Sequence, residues 1–369
     1  MKRIAWFFPS FGAGGVQRAI LSLTRRFLAL GIFVDLVVAD AHGPFLKDVP
    51  AGVVVTDLHA PRMLAALPGL ISHLRTARLD ALISAQNHAN LVAVLATRVA
   101  GTPTRLILTE HNDMIEGSRQ SRSVKDRLRP FAARLLYPLA QAVVAVSKGV
   151  AESIVVIVHL PPERICTIHN APIPGNLEEL VRRTPESPWL LTRDVPVVVS
   201  VGRLVVQKDY PTLLRALAYM NEWQPVRLMI LGEGPERGKL QELAASLGVS
   251  DRVSMPGFVE NPYSYMGRAD AFALSSLYEG FPSVLVEALA CGARVVATDC
   301  RSGPAEILGG GRFGRLAPVG DARALGNAIQ AALEDLDYRP DASVARAREY
   351  SVERAAESYL SLIFGPGDL

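Results

Sequence analysis

Short apolar runs, many of them rich in β-branched residues, alternate with longer amphipathic stretches along the first half of the chain. The runs predict strands at 3–9, 34–40, 80–86, 105–112 and 140–147. The amphipathic stretches predict helices at 15–31 and 89–101. Strands that are apolar throughout are typical of a parallel sheet covered by helices on both faces. This half therefore predicts one doubly wound α/β domain.

The same alternation restarts after a proline-rich stretch, residues 170–194, that has little periodicity. Strands are predicted at 195–203, 226–234, 252–258, 270–276 and 294–299, and helices at 209–220, 235–248 and 282–292. The prediction is an N-terminal Rossmann-like domain at 1–175, a linker at 176–194, a C-terminal Rossmann-like domain at 195–348 and a last helix within 349–369. Two such domains facing each other form a cleft, and ligands bind at the carboxyl ends of the strands.

Composition narrows the function classes. The chain has 369 residues and a net charge of +3, which does not favour a nucleic-acid binder. Residues 1–180 hold 19 Lys/Arg against 13 Asp/Glu, so the basic excess lies in the first half. The three cysteines fit neither a disulfide framework nor a zinc site, which favours a reducing cytoplasm. No apolar run reaches the roughly 18–20 residues of a membrane-spanning helix.

Two carboxylates in the stretch SSLYEGFPSVLVEALACG, residues 275–292, are candidate ligand contacts. Glu279 is predicted in the loop after a strand, and Glu287 near the start of the next helix, with Ser283 as its N-cap. Backbone N–H groups between the two acids would bind an anion, and each acid would accept hydrogen bonds from hydroxyl groups. A phosphate between two sets of hydroxyls describes a nucleotide sugar. Alternatively, Glu279 caps the turn and Glu287 is a solvated helix residue.

Two cations follow the first strand of the second half. Arg203 offers a planar fork and Lys208 a compact charge, a pair that suits a diphosphate, although both could be solvated surface cations. The nearby LGEGPERGKL is not a P-loop, because Leu240 stands where a Ser or Thr would hold magnesium. Glu233 in this stretch stays a candidate ligand contact.

The first half has its own candidates. Gly12, Gly14 and Gly15 lead into a helix, whose free N–H groups could bind an anion. They do not form a dehydrogenase fingerprint, because Gln17 occupies the third glycine position, and a plain strand-to-helix turn is the alternative. His111 ends a predicted strand and could hydrogen-bond a sugar or phosphate, or be structural.

Together, the spacing Glu279…Glu287, the upstream Gly202-Arg203…Lys208, the early glycine loop and His111-Asn112 resemble the retaining glycosyltransferases of family 4, which have the GT-B fold. The resemblance covers essentially the whole chain, and it implies that the last helix, within 349–369, packs back toward the N-terminal domain. It implies that Glu279 contacts the transferred sugar near its anomeric carbon and that Glu287 holds the ribose hydroxyls. It also implies that Arg203 and Lys208 neutralise the diphosphate.

The resemblance extends to further positions and to the cofactor. It implies that His111 meets the donor sugar and that Gly14 and Gly15 face the phosphate and the acceptor. The remaining donor-side positions that it implies are Gly202, Glu233, Gly280, Phe281 and Leu285. No metal or other cofactor is expected, since Arg, Lys and helix N–H groups replace a metal ion beside the diphosphate.

A basic amphipathic segment at 118–140 lies in the first, acceptor-side domain. The basic residues predicted to contact an anionic membrane and the acceptor are Arg122, Lys125, Arg127 and Arg129. Apolar residues recur at helical spacing: Val124, Leu128, Phe131, Leu135 and Leu139. The resemblance implies a polyprenyl-diphosphate-linked glycan acceptor. The predicted location is therefore the cytoplasm, peripheral to the inner face of the membrane; the alternative is an ordinary packed helix with a solvated basic face.

The donor and the reaction keep alternatives open. The stretches GFVENPY and DCRSGPAEIL resemble the branch of this family that adds a hexose or N-acetylhexosamine from a UDP-linked donor. A GDP-mannose-dependent mannosyltransferase, a UDP-sugar 2-epimerase and a non-catalytic sugar-nucleotide-binding subunit are the alternatives. The oligomeric state stays open.

Overall fold

A computed structural model describes residues 2–12, 14–116, 124–192 and 194–365, and only the backbone of residues 124–128. The chain divides into two compact units. Unit 1 comprises Met1–Pro172 and Ser351–Leu369, and unit 2 comprises Ile173–Tyr350. The chain therefore passes from unit 1 to unit 2 and returns for its last residues.

Unit 1 is built on a seven-stranded parallel sheet. Its strands are β1 (Arg3–Phe8), β2 (Phe33–Val38), β3 (Val54–Asp57), β4 (Ala81–Ala85), β5 (Arg105–Glu110), β6 (Ala142–Ala145) and β7 (Ile165–Thr167). The helices that alternate with them are α1 (Gly15–Ala29), α2 (Leu67–Ala77), α3 (Asn87–Ala100), α4 (Val124–Leu136) and α5 (Lys148–Val158). The strand order is β3-β2-β1-β4-β5-β6-β7, so it reverses between β1 and β4.

Unit 2 repeats this architecture with a six-stranded parallel sheet. Its strands are β8 (Val197–Val201), β9 (Arg227–Leu231), β10 (Val253–Gly257), β11 (Ala271–Leu274), β12 (Val295–Thr298) and β13 (Arg315–Ala317). Its helices are α6 (Leu177–Arg182), α7 (Pro188–Thr192), α8 (Tyr210–Asn221), α9 (Arg237–Ser246), α10 (Tyr263–Met266), α11 (Ser283–Ala290), α12 (Pro304–Ile307), α13 (Ala322–Leu333) and α14 (Pro340–Arg348). The order β10-β9-β8-β11-β12-β13 reverses between β8 and β11. The prediction of two doubly wound α/β domains is confirmed.

The cores follow from the apolar runs. Residues 4–8 of β1 are at most 1% exposed, because β1 is a central strand with helices on both faces. Helix α1 buries one stripe, including Ile20, Leu23 and Phe27, against this sheet.

Residues 176–194 were predicted as a linker, but the structure shows them as part of a domain. This segment contains α6 and α7 and belongs to unit 2. Helix α6 packs on α10, and Asn261 Nδ2 donates a hydrogen bond to Leu180 O at 2.8 Å. The prolines in this segment argued against helices in the sequence. Pro188, however, occupies the first turn of α7, where a helix tolerates proline.

The last helix, α15 (Val352–Phe364), belongs to unit 1 and packs on α1. Tyr359 makes an edge-to-face contact with Trp6, with ring centroids 5.6 Å apart. Arg105 Nη1 donates a hydrogen bond to Ile363 O at 2.6 Å. Unit 1 is therefore completed by chain that follows the whole of unit 2. Within the described ranges, no helix combines the length and the apolar character needed to span a bilayer.

Candidate functional site

The loops after β8 and β11 are joined at the point where the strand order of unit 2 reverses. These strands are neighbours, so both loops leave the same edge of the sheet. Ser275 Oγ donates to Lys208 O at 2.7 Å, and Gln207 Nε2 donates to Tyr278 O at 2.9 Å. Such a reversal point is where open α/β sheets bind ligands. The hydrogen bonds fix the two loops against each other there.

Lys208 and Glu279 form the centre of this site. Lys208 Nζ donates to Glu279 Oε1 at 2.5 Å, and Ser276 Oγ donates to the same oxygen at 2.6 Å. The two charged side chains are only 16% and 8% exposed. Both hydrogen bonds use Oε1, so Oε2 accepts none from the residues that the structure describes. An ammonium has three N–H donors, which leaves Lys208 able to bind a second acceptor.

Gly202 lies in the close packing around Lys208. A Cβ on Gly202 would lie 3.0 Å from Tyr210 Oη and 3.3 Å from Lys208 Cε. Tyr210 is buried, and both burial and the charge of Glu279 raise the pKa of its phenol. The Tyr210 phenol therefore stays neutral, and its buried ring packs beside Gly202. Neither Tyr210 nor Ser276 was found from the sequence, because each is an unremarkable member of an apolar run.

Arg203 and Glu233 lie in different surroundings. Arg203 is exposed and makes no ion pair with any described carboxylate. Glu233 follows β9, and its carboxylate pairs with Arg237 Nη1 at 2.9 Å. The structure thus places a solvent-accessible guanidinium in the same loop as Lys208. It does not hydrogen-bond the Glu233 side chain to Lys208 or Glu279.

Glu287 is a buried residue of α11. It is only 5% exposed, and Tyr263 Oη donates to its Oε1 at 3.4 Å. Glu279 is 7% exposed. The alternative that Glu287 is a solvated helix residue is therefore wrong. The prediction of Ser283 as N-cap is also wrong, since Ser283 is the first helical residue and Pro282 precedes it without a side-chain cap.

The turn that leads into α11 uses some of the N–H groups that were predicted to bind an anion. Ser283 N donates to Phe281 O and Leu285 N donates to Pro282 O, each at 2.8 Å. The Leu285 side chain is fully buried. Phe281 is 6% exposed, and its ring contacts Tyr350. Gly280 lies in the same turn.

In unit 1, His111 follows β5 and is held as one tautomer. Thr109 Oγ1 donates its proton to Ser84 O at 2.9 Å, so the 2.9 Å contact with His111 Nε2 requires Nε2 to be the donor. Burial lowers the pKa of His111 to about 4. The imidazole is therefore neutral at pH 7. Its Nδ1 is a buried acceptor without a partner among the described residues.

A buried polar cluster beside His111 was not found from the sequence. Glu110 Oε1 accepts hydrogen bonds from Tyr137 Oη, from Asn87 Nδ2 at 3.2 Å and from Asn90 Nδ2 at 3.1 Å. Burial raises the pKa of Glu110 to about 7, although the three hydrogen bonds oppose the shift. An acid at the end of an apolar strand was the signal in the sequence. Its partners lie up to 27 residues away, which local patterns do not detect.

Gly14 and Gly15 lie at the start of α1, which begins at Gly15. No side chain caps this helix, and its first turn carries no acid. Gly14 has an extended backbone, which any residue can adopt, so its conformation does not require glycine. A Cβ at Gly14 would, however, lie 2.8 Å from Gln17 Oε1. The helix start is therefore closely packed and has no acidic side chain of its own.

Helix α4 carries the predicted basic segment. Arg122 and the side chains of Lys125 and Arg127 lie outside the described residues, whereas Arg129 is exposed. Three apolar residues at four-residue spacing are exposed: Phe131 by 64%, Leu135 by 60% and Leu139 by 40%. The opposite side of this segment is packed, with Ala133 and Tyr137 fully buried. The segment is therefore packed on one side and exposes these three apolar residues on the other.

Two further features of the described residues are the arrangement of possible metal ligands and the state of the cysteine thiols. In the part of the chain that the structure describes, no group of three or more His, Cys, Asp or Glu side chains is arranged to hold a metal ion. Burial, together with the charge of Glu279, raises the pKa of Cys300. Burial and the charge of Glu287 do the same for Cys291. Neither thiol is an activated nucleophile at neutral pH.

Models of known protein families match both halves of the chain. The family model described as Glycosyltransferase Family 4 matches residues 13–171. The model described as Glycosyl transferases group 1 matches residues 184–350. The two matches follow each other along the chain and meet near the division between its units. Together they cover most of its length.

Individual proteins are also similar to this chain over nearly its whole length. The chain is 28% identical to the N-acetylgalactosamine-N,N'-diacetylbacillosaminyl-diphospho-undecaprenol 4-alpha-N-acetylgalactosaminyltransferase of Campylobacter jejuni, over 99% of this chain and 100% of that protein. Sucrose-phosphate synthase of Thermosynechococcus elongatus has a similar structure, with a TM-score of 0.81, 21% identity and 98% coverage of both chains. Anabaena HepE in complex with UDP and glucose gives 0.78 at 22% identity, covering 98% of this chain and 99% of that one. At these identities, the structural likeness shows the shared fold.

Proposed function

This chain belongs to the family 4 glycosyltransferases of the GT-B fold, and we propose that it is a retaining enzyme that transfers a hexose or N-acetylhexosamine from a UDP-linked donor to a polyprenyl-diphosphate-linked glycan. The cluster of Lys208, Glu279 and Ser276 at the reversal point of the second sheet carries this proposal. The Campylobacter jejuni relative supports the acceptor class, because its name gives a diphospho-undecaprenol substrate.

The donor site divides into phosphate and hydroxyl contacts. Arg203 and the two remaining N–H groups of Lys208 neutralise the diphosphate, which becomes more negative as the sugar leaves. Glu279 Oε2 accepts a hydrogen bond from a hydroxyl of the transferred sugar. Glu287 accepts hydrogen bonds from the ribose. The contacts of Arg203 and Lys208 strengthen with the charge of the leaving group, so they lower the barrier as well as bind the donor.

The residues of unit 1 have complementary roles. The neutral His111 accepts a hydrogen bond from a donor-sugar hydroxyl at Nδ1, because its Nε2–H is committed to Thr109. The uncapped start of α1, at Gly14 and Gly15, offers N–H groups to a phosphate. No metal ion is required in this scheme, since fixed cations and N–H groups carry out the neutralisation.

The first experiment is a thermal-shift screen of the whole chain against UDP, GDP, ADP and TDP. A nucleotide that binds the folded state stabilises it by about 2.7 kcal/mol at a hundredfold excess over Kd. We expect a selective shift with UDP, which the Arg203→Ala/Lys208→Ala variant loses. A selective shift with GDP would replace the UDP donor by GDP-mannose. A wild-type chain that no nucleotide shifts would contradict the site itself.

Turnover separates transfer from the remaining alternatives. We expect sugar transfer from the UDP-sugar only when a lipid-diphosphate-linked glycan is present. Conversion of the UDP-sugar without any acceptor would instead show a 2-epimerase. Donor binding without turnover on any such acceptor would show a non-catalytic subunit.

Membrane contact through α4 is a separate part of the proposal. The exposed apolar residues Phe131 and Leu135 would enter an anionic membrane surface, while the basic side chains, among them Arg129, contact lipid phosphates. Each basic residue near such a surface contributes about 1 kcal/mol. The arrangement would bring a lipid-linked acceptor to unit 1.

Co-sedimentation with vesicles containing anionic phospholipid tests this contact. We expect Phe131→Ser/Leu135→Ser to weaken binding at least tenfold, because a buried Phe or Leu side chain contributes roughly 1.5–3 kcal/mol. Neutralising Arg122, Lys125, Arg127 and Arg129 to Gln should weaken it further at low salt. Leu64→Ser removes an apolar side chain that is 66% exposed elsewhere in unit 1, and it serves as the matched control. Equal binding by all three variants and the wild type would exclude this surface.

A further inference from the structure

Unit 2 contains a cavity that the proposed function does not use. It has a volume of about 330 Å³. Arg294 and Val295, at the start of β12, and Gly314 and Arg315, at the start of β13, contribute to its lining. The strands of this sheet are parallel, so the cavity lies at their amino ends. Lys208 and Glu279 follow the carboxyl ends of β8 and β11, at the opposite edge of the sheet.

The lining is strongly basic. Four arginines and two aspartates line the cavity: Arg294, Arg312, Arg315, Arg339, Asp335 and Asp337. Arg315 pairs with Asp335 at 3.3 Å, and Arg339 makes a longer pair with Asp337 at 3.9 Å. Arg294 and Arg312 have no described carboxylate within ion-pair distance. The cavity therefore keeps a net charge of about +2 at pH 7.

Arg294 is held in place but has an unused donor. Its guanidinium lies 4.9 Å from the centroid of the Tyr338 ring, and its Nη2 donates to Asp335 O at 3.3 Å. Tyr338 is itself fixed, because its Oη donates to Ala293 O at 2.6 Å. The Nε–H of Arg294 is buried without a hydrogen-bond partner in the described part of the chain. Arg294 therefore contributes a fixed positive charge to the lining of the cavity, with no described carboxylate to neutralise it.

Arg312 places a second unpaired cation at the cavity. Its guanidinium lies 5.2 Å from the centroid of the neighbouring Phe313 ring. It follows three consecutive glycines with positive φ, Gly309 to Gly311, which form a turn that other residues adopt only under strain. Guanidinium forks match phosphate oxygens, two N–H groups to two oxygens, and form stronger hydrogen bonds to charged acceptors.

We propose that this cavity binds a small phosphorylated anion, of the phosphate-ester or diphosphate class, at a site separate from that of the sugar donor. Arg294 and Arg312 supply the uncompensated charge, and Arg339 supplies a third guanidinium, whose ion pair is long. A volume of about 330 Å³ lies within the range of small-molecule sites, about 300–1,000 Å³.

Calorimetric titration of the full chain with inorganic pyrophosphate tests the proposal. The donor site also attracts this anion, so the titration is made in the Arg203→Gln/Lys208→Gln background, at about 0.15 M salt to screen weak surface attraction. We expect saturable binding there, weakened at least tenfold when Arg312→Gln and Arg339→Gln are added. Both of these side chains are exposed, so their replacement leaves the core unchanged.

Arg323→Gln is the matched control, because Arg323 is an exposed arginine of unit 2 that stacks on Tyr219 outside the cavity. It should leave the affinity for pyrophosphate unchanged. Absence of binding in the Arg203→Gln/Lys208→Gln background would overturn the proposal. Binding that survives Arg312→Gln/Arg339→Gln, or that falls equally with Arg323→Gln, would also overturn it. None of these outcomes depends on the identity of the sugar donor or acceptor.

Discussion

Lys208 and Glu279 form an ion pair from which water is largely excluded. Removing two charges from water costs several kcal/mol per ion, and their attraction repays this only with good geometry and further hydrogen bonds. Ser276 supplies one such bond, and the side chains of Ser275 and Gln207, which donate to Lys208 O and Tyr278 O, fix the loops around it. A buried pair of this kind is weak support for stability. Its placement at the reversal point of the sheet supports the proposed role in binding a charged ligand.

Replacing either member of this pair should abolish most transfer. We expect Lys208→Ala and Glu279→Ala each to lower kcat/KM by roughly 10²–10³, the typical effect of removing one group that stabilises developing charge. The double variant should lose little more than a single one, because residues acting as a unit are not additive. Steady-state transfer kinetics and circular dichroism measure this. Lys239→Ala, on an exposed lysine paired with Glu236, is the control. A variant that keeps both its fold and its activity would refute the assignment.

Glu287 should affect donor binding more than chemistry. Glu287→Gln keeps the shape of the buried side chain but weakens it as an acceptor for ribose hydroxyls. We expect KM for the UDP-sugar to rise about tenfold, with kcat little changed, as for the loss of an interaction made equally in the ground and transition states. An unchanged KM, or a fall in kcat alone, would show that Glu287 does not hold the ribose.

The raised pKa of Glu110 should make the free energy of unfolding fall as the pH rises. Its pKa is raised to about 7 in the folded state, from an ordinary value of 4.5. The folded state therefore holds this proton more tightly, and stability falls as the pH rises from about 4.5 to 7. Glu110→Gln should be stabilised relative to the wild type by up to about 3 kcal/mol more at pH 8 than at pH 4.5. Urea unfolding at both pH values measures the difference, and a difference that does not change with pH would contradict the shift.

At the scale of elements, sheet order explains where the site residues lie. The order of strands reverses between β1 and β4 in unit 1, and between β8 and β11 in unit 2. Helices leave the reversal point toward opposite faces of the sheet, which opens a space at the strand ends. Gly14 and Gly15 follow β1, Lys208 follows β8 and Glu279 follows β11. Residues far apart in sequence are thus brought to these points by strand order.

Asp35 shows how one carboxylate joins elements of unit 1. It lies on β2, with its side chain 2% exposed, and Arg3 Nη2 on β1 donates to its Oδ2 at 2.8 Å. His73 Nε2, on α2, lies 3.4 Å from the same oxygen. Burial raises the pKa of Asp35, but His73 and Arg3 outweigh it and hold the pKa below its usual range.

Asp35→Asn should therefore destabilise unit 1 at neutral pH. We expect a loss of about 2 kcal/mol, less than for a fully buried pair because the Arg3 side chain is 37% exposed. A lowered folded pKa contributes stability that is present above the ordinary value of 3.8 and lost as the pH falls below it. The gap between variant and wild type should thus narrow in acid. Asp40→Asn, on an exposed aspartate, is the control, and an equal effect of both substitutions would contradict the role of burial.

At the scale of the molecule, the two units are discontinuous in sequence. Unit 1 depends on α15, which reaches it only after the chain has completed unit 2. Helix α15 buries one face, with Ala356, Leu360 and Ile363 at most 1% exposed. The same cluster contains Trp6 and Phe27. The stability of the N-terminal half is therefore linked to the last residues of the described chain.

Leu360→Ala should destabilise unit 1 specifically. Deleting a fully buried Leu side chain costs roughly 2–5 kcal/mol, so we expect a loss of about 3 kcal/mol. Hydrogen exchange should rise in β1, β2 and α1 before it rises in β8 and β11. Glu357→Ala changes an exposed residue of the same helix and should have little effect. A rise confined to residues 173–350 would show that α15 supports the other unit.

The sequence by itself determined the architecture and the main residues of the site. The spacing of apolar residues and the local composition report on burial within a few residues. They therefore predicted two doubly wound domains and the positions of the well-buried strands. The strands β3, β7 and β13 were not predicted, because each lies at an edge of its sheet and is only partly buried, which leaves a weak apolar pattern. Polar residues beside apolar runs predicted Arg203, Lys208 and Glu279 as candidate site residues, and Glu287 was predicted as a polar residue within such a run. Such residues are costly inside a core unless they have a partner.

Only the tertiary structure decided which of these residues meet. Lys208 and Glu279 are 71 positions apart, and Glu110 and Tyr137 are 27 apart. Strand order brings each pair together, and no local pattern contains that order. The structure also assigned the Ser283 and Leu285 N–H groups to the turn, His111 to one tautomer and the last helix to unit 1. The physical reason is the same in each case: a hydrogen bond or a buried face depends on partners that are distant in the chain and near only after folding.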